Sequence, residues 1–214
     1  RAREVYGGRN FNGYGLGWGT TEYHGKQMVS HTGGYDGMYS AVTMLPTEKI
    51  GVVILTNTMD GIGTLLSYEI IDRLLGLPQQ DWKNRGLNQD KGHWADRAAR
   101  IKERTDARII GTKPSMDVAA ISGLYRCPLF GDIRIQEEKG KLTIDFVHSP
   151  QLKARLSHWH NDTYKLEWIE EQAWFEFGTV QIQTNNSGQP SGLLFDVPND
   201  DIFFEEIKAV RVTP

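Results

Sequence analysis

Residues Ser30-His31-Thr32-Gly33-Gly34-Tyr35-Asp36-Gly37 set an imidazole and a hydroxyl side by side and then remove the side chains. A histidine donates hydrogen bonds and gains a proton near neutral pH. The adjacent Thr32 hydroxyl suits a carboxylate or carbonyl oxygen. Two glycines leave backbone N–H groups open to close approach by a ligand. Amides placed where an oxyanion develops are a principal aid to acyl transfer. The same Gly-Gly pair also makes an ordinary tight turn, and Thr32 is an ordinary β-branched strand residue.

Other combinations carry less chemistry. His158 and His160 stand two residues apart, with His148 upstream. Such a pair can ligate a metal, but no acidic or cysteine partner has a diagnostic spacing, and a solvated strand around Trp159 is the better reading. Trp159, Trp168, Trp174 and Phe175 fit either a ligand cavity or plain core. Asp36, Asp60 and Asp72 have no histidine at a spacing that makes a triad legible, and Glu167, Glu170 and Glu171 read as a solvated turn. Neither a cofactor nor a metal is expected.

The elements that must position these residues follow from periodicity. Glycines are dense in residues 1–64, and short β-like runs lie between them: Lys26–His31, Met38–Leu45 and Ile50–Asn57. The run Val52-Val53-Ile54-Leu55 is apolar on both faces, which predicts a central strand covered on each side. Short turns between the runs predict an antiparallel meander. Ile62, Leu65, Leu66, Ile70, Leu74 and Leu77 then form one helical stripe, ready to cover it, and Gly76-Leu77-Pro78 stops the helix. A second helix is expected around Trp94, Ala98 and Ile101, within a polar stretch that ends near Gly111-Thr112-Lys113-Pro114. It reads as a linker helix or as part of a flanking domain.

From Ser115 onward the pattern alternates in short runs: Ile133/Ile135, Leu142/Ile144/Phe146, Leu152/Ala154/Leu156, Tyr164/Leu166/Trp168, Val180/Ile182 and Ile202/Phe204. Short strands with one apolar face predict an antiparallel sandwich or small barrel around a side-chain core.

The ordered segments Tyr14-Gly15-Leu16-Gly17-Trp18, His31-Thr32-Gly33-Gly34, Met44-Leu45-Pro46 and Gly51-Val52-Val53-Ile54-Leu55-Thr56-Asn57 resemble the C-terminal part of the serine β-lactamase-like family. That family includes class C β-lactamases, D-alanyl-D-alanine carboxypeptidases, other penicillin-binding proteins and related esterases. The resemblance covers about residues 12–77. The region after Ser115 looks like the lipocalin-like β domain appended to some of these hydrolases. The resemblance implies that His31 takes the basic position and Thr32 the hydroxyl position of the family's Lys/His-Thr/Ser-Gly motif. It implies that Gly33 leaves space for substrate and that the Gly34 N–H supplies half of the oxyanion hole. One departure is large. The family's nucleophile lies in Ser-x-x-Lys, where the lysine helps activate the serine, and no serine here is followed three residues later by lysine. The motif with a Tyr or Ser two residues before Asn is also missing.

The expected fold class is therefore α+β. An antiparallel sheet fragment with a covering helix spans 1–78, a linker with a helix spans 79–114, and an all-β small barrel spans 115–214. The expected function is that of a C-terminal fragment of a serine hydrolase acting on an amide or ester, and alone it should be inactive. Arg1 rather than Met opens the chain, in keeping with a piece of something longer. The alternative is a non-catalytic protein whose barrel holds an apolar ligand. Expected partners are a small-molecule or peptide substrate in the parent and a missing N-terminal half in cis or in trans. A homodimer or strand swap is expected of the isolated chain. With 24 Lys+Arg against 27 Asp+Glu and no basic block, nucleic acid is not expected. Apolar runs such as Gly51–Leu55 are far short of a membrane span. A single cysteine, Cys127, rules out an intramolecular disulfide. An exported location follows from the resemblance alone, since no signal peptide is legible.

Overall fold

A computed structural model describes residues 12–212 apart from 36, 173, 200 and 201, so Asp36 lies outside the described residues. Two compact units divide the chain, residues 1–94 and residues 95–214.

The first unit is a five-stranded antiparallel sheet in sequence order. Its strands are β1 (Asn12–Gly15), β2 (Trp18–Tyr23), β3 (Lys26–Tyr35), β4 (Met38–Leu45) and β5 (Ile50–Thr56). Leu16-Gly17 and His24-Gly25 make the first two turns, with both residues of each pair at positive φ. Two-residue turns of that hand match the twist of the strands they join. The meander is as the sequence predicts, but among the described residues β5 is not central: it pairs with β4 and has no strand on its other flank. Val52 is buried, whereas Val53 is 61% and Leu55 77% exposed. The double-sided apolar run thus has one face on the core and one face bare.

Helix α1 (Ile62–Leu74) covers the buried face, with Leu65 and Ile70 of the predicted stripe, and Leu77 beyond its end, packed on the core, but its most buried residues are others. Gly63, Ser67, Tyr68, Ile71 and Asp72 are its buried residues. Ile62, Leu66 and Leu74, assigned to the core by spacing, are exposed. Small residues explain the difference. A Cβ on Gly63 would sit 3.4 Å from Ile54 Cγ2 and 3.5 Å from Ala41 Cβ, so the helix packs closely on β4 and β5 there. Tyr23, Met28, Leu45, Val52, Tyr68, Ile71 and Trp82 complete this core.

Helix α2 (Trp82–Asp106) is longer than its sequence pattern suggests. Asp81 caps it, accepting the Asn84 N–H at 3.1 Å, and that bond holds the Asp81 carboxyl below the usual carboxylate range. Within the first unit, Trp82 and Gly86 are its buried residues. A Cβ on Gly86 would run into Leu65 Cδ1, so glycine there lets α2 approach α1.

In the second unit a short helix α3 (Val118–Ile121) leads into eight strands that close as a barrel. They are β6 (Gly123–Cys127), β7 (Gly131–Glu138), β8 (Lys141–Phe146), β9 (Lys153–His160), β10 (Thr163–Trp168), β11 (Thr179–Thr184), β12 (Pro190–Asp196) and β13 (Ala209–Arg211). Inward side chains such as Ile133, Ile144, Leu166, Val180 and Leu193 form one core. Trp168, Trp174 and Phe175 join it, so they are core residues. The Ile202/Phe204 run is not a strand. Phe204 opens a 3₁₀ turn (Phe204–Glu206) and packs against Phe146, Phe175 and Phe195.

The segment after α2 is laced to the β9–β10 hairpin. Arg108 Nε donates to the Trp159 carbonyl at 2.8 Å, and the guanidinium lies 4.5 Å from the Trp159 ring centre. The Ile109 N–H donates to His160 Nδ1 at 3.2 Å, and Ser115 binds Asp162 through both its N–H and its hydroxyl. His158 Nε2 contacts the Asn161 carbonyl at 2.8 Å. Both histidines are thus engaged with backbone, and among the described residues no group of three metal-ligating side chains occurs. No helix among those residues is long and apolar enough to cross a membrane.

Candidate active site

Strand β3 outruns its neighbour. Its pairing with β2 stops at Ser30, opposite Gly19, while its pairing with β4 continues to Tyr35, opposite Met38. Among the described residues, His31–Tyr35 therefore has a strand on one side only. Alternate N–H and C=O groups along that stretch point away from β4. They form a short edge on which an extended ligand can hydrogen-bond.

All four residues singled out in the sequence lie on this edge. Successive strand side chains leave on opposite faces, so His31 and Thr32 flank the edge from above and below. His31 is exposed and lies opposite Val42. Its Nε2 is 3.1 Å from the Tyr14 hydroxyl, and the Trp18 ring meets it edge-on with centroids 6.4 Å apart. Thr32 is exposed opposite the buried Ala41.

Gly33 and Gly34 follow, opposite Ser40 and Tyr39. The Ser40 hydroxyl donates to the Gly33 carbonyl at 3.3 Å. A Cβ on Gly33 would meet Ser40 Oγ at 3.6 Å, an ordinary contact, and its φ is not left-handed. Neither crowding nor backbone geometry requires glycine there. Glycine weakens a strand interior and often marks close approach by another molecule.

Chemically, the edge offers a hydroxyl, an imidazole and unshielded amides along one line. Those are donors for an acyl group's oxygens. A nucleophile is not among them: Ser30 is half-buried within the β2–β3 pairing, and Ser40 is committed to Gly33.

Sequence reasoning did not find Tyr14 as the partner of His31. Its only local signal is the Gly15-Leu16-Gly17 turn, which folds β1 back on β2. Nor did it find the buried cluster of Tyr23, Asp72 and Trp82.

Residues 1–74 match the family model described as Beta-lactamase, and residues 107–211 match one described as Domain of unknown function (DUF3471). A protein of Aspergillus violaceofuscus named Unguisins hydrolase ungD is 41% identical over 71 residues, covering 32% of this chain and 12% of that protein. One of Aspergillus campestris named Unguisins hydrolase ungD' is 27% identical over 143 residues, covering 62% of this chain and 26% of that protein. The chain therefore spans about a quarter or less of the length of these curated relatives. A solved structure described as the octameric penicillin-binding protein homologue from Pyrococcus abyssi aligns with 94% of this chain and 37% of its own. Its sequence identity is 14% and its TM-score 0.32.

Proposed function

We propose that this chain, whose first unit belongs to the β-lactamase-like hydrolases, forms one wall of a serine hydrolase's acyl-transfer site. Thr32 and His31 bind oxygens of the substrate. The Gly34 N–H contributes to stabilising the oxyanion, and Gly33 keeps the approach clear. The attacking serine and its lysine come from outside these residues, in cis or in trans. The substrate is an amide or ester, and the parent works outside the cytoplasm. One observation carries the reading: among the described residues the His31–Tyr35 edge is unpaired on its β2 side and holds a glycine that neither crowding nor backbone geometry requires.

The test is Thr32→Val in the full-length hydrolase. The substitution keeps the branched shape and removes the hydroxyl. A loss of turnover on the order of tenfold to a thousandfold, with melting unchanged, is the expected result. Unchanged turnover rejects the site. The chain by itself should form no acyl adduct with an activated ester, read by mass spectrometry.

A further inference from the structure

Tyr14 and His31 come from the first and third strands of the sheet, and their side chains meet where the β2–β3 ladder ends. The tyrosine is 71% exposed and the histidine is exposed too, so their contact adds little to folding. Its consequence is local. A neutral imidazole has one N–H and one acceptor nitrogen. A phenol is the stronger donor of the two groups. With the Tyr14 hydroxyl donating to Nε2, the ring proton resides on Nδ1. No partner holds Nδ1 among the described residues. The Trp18 edge bounds the ring on another side, with planes at 79°.

We propose that Tyr14 is a positioning residue for His31. It fixes the Nδ1–H tautomer and the ring's orientation, so that the open nitrogen is a hydrogen-bond donor for a carbonyl or carboxylate oxygen of an acyl substrate lying along His31–Gly34. This rests on the acyl-transfer reading above. An untethered imidazole favours the Nε2–H form and turns freely, and it would present a lone pair as readily as a proton.

The first measurement needs no activity. Long-range ¹⁵N–¹H spectra of the chain report which nitrogen of the neutral His31 ring carries the proton. Its signals are identified by their loss in His31→Asn. The expected result is Nδ1–H in the native chain and a shift toward Nε2–H in Tyr14→Phe, with the rest of the spectrum in place. An Nε2–H ring in the native chain, or no change in Tyr14→Phe, overturns the proposal. The second measurement uses the full-length hydrolase. Tyr14→Phe should lower kcat/KM about tenfold, the equivalent of one well-placed hydrogen bond, and His31→Asn should lower it further. If His31→Asn abolishes activity while Tyr14→Phe does nothing, the role of Tyr14 fails alone. If His31→Asn leaves activity intact, the acyl-transfer reading of His31 falls, and the role of Tyr14 with it.

Discussion

The indole N–H of Trp82 donates to the Asp72 carboxylate at 2.7 Å inside the first unit. The Tyr23 hydroxyl donates to the other oxygen of the same carboxylate. Asp72 is 2% exposed, and the three residues come from α1, α2 and β2. Tyr68 stacks on Trp82 and packs against Tyr23, with ring centroids 4.9 and 5.5 Å away. A buried carboxylate is tolerated only with such donors. This one ties the covering helix to the sheet that carries His31–Gly34 and to the start of the next helix.

Asp72→Ala should therefore destabilise the first unit by about 2 to 4 kcal/mol, because two buried donors lose their acceptor. Denaturation followed by tryptophan fluorescence should show an earlier transition for that unit. An unshifted transition would mean that Trp82 and Tyr23 find water instead.

Gly33→Ala separates folding from function. The added methyl group meets only Ser40 Oγ, at an ordinary distance, in a backbone that alanine adopts readily. Melting should be unchanged or slightly higher, since alanine loses less chain entropy by about 0.5 to 1 kcal/mol. If Gly33 clears the substrate's approach as proposed, the same methyl group obstructs it in the full-length hydrolase, and KM should rise. A variant with native kinetics would show that the edge is not a substrate contact.

Much of this fold is written in short-range pattern. Met38–Leu45 is a strand over the residues its alternation marks, and the alternating runs after Ser115 close as a barrel. The helix face was legible only in part: Leu65, Ile70 and Leu77 pack on the core as their spacing marks, but Gly63 and Ser67 bury by being small while Ile62 and Leu66 stay out. Nor was the barrel's closure at β12 and β13, where the strands are short or interrupted by Gly192, and only pairing across the chain defines them. The edge residues could be read because Gly-Gly in a strand is conspicuous. Tyr14 could not, since its contact with His31 depends on where β2 stops.

Alkali should loosen the barrel. Tyr125 is fully buried and donates to the Ile121 carbonyl at 2.8 Å. Burial raises its pKa, against a smaller opposing effect of Arg211, and burial raises that of Tyr164 as well. A raised folded-state pKa gives stability that is complete below the unfolded value of about 10 and is lost as pH climbs through the folded one. The melting temperature of the barrel should fall across that range, and Tyr125→Phe should flatten the fall. An identical slope in the variant would assign the loss to other groups.

The barrel's N-terminal boundary can be tested by truncation. Residues 95–214 keep the Arg104–Asp196 pair, with Nε to both carboxylate oxygens at 2.9 and 2.8 Å, and they keep Arg108 on Trp159. Residues 115–214 lose both. Each piece should fold as an all-β unit, with the longer melting several degrees higher, as about 1 kcal/mol or more of cation–π and charge-assisted bonding implies. Equal melting points would make the lacing incidental.

The last expectation concerns association. Strand β5 ends the sheet with its far flank unpaired among the described residues, and Val53 and Leu55 stand out on the bare face. Ile62, Leu66 and Leu74 add exposed apolar surface on α1. An open strand edge beside apolar side chains is a template for pairing with another chain. At micromolar concentration the 214-residue chain should sediment as a dimer. Lysine on an edge strand opposes such pairing through charge and solvation. Val53→Lys combined with Leu55→Lys should therefore give a monomer with an unchanged circular dichroism spectrum, since both side chains already face water. A native chain that stays monomeric at that concentration would refute the association, and a double variant that still dimerises would place the contact elsewhere than β5.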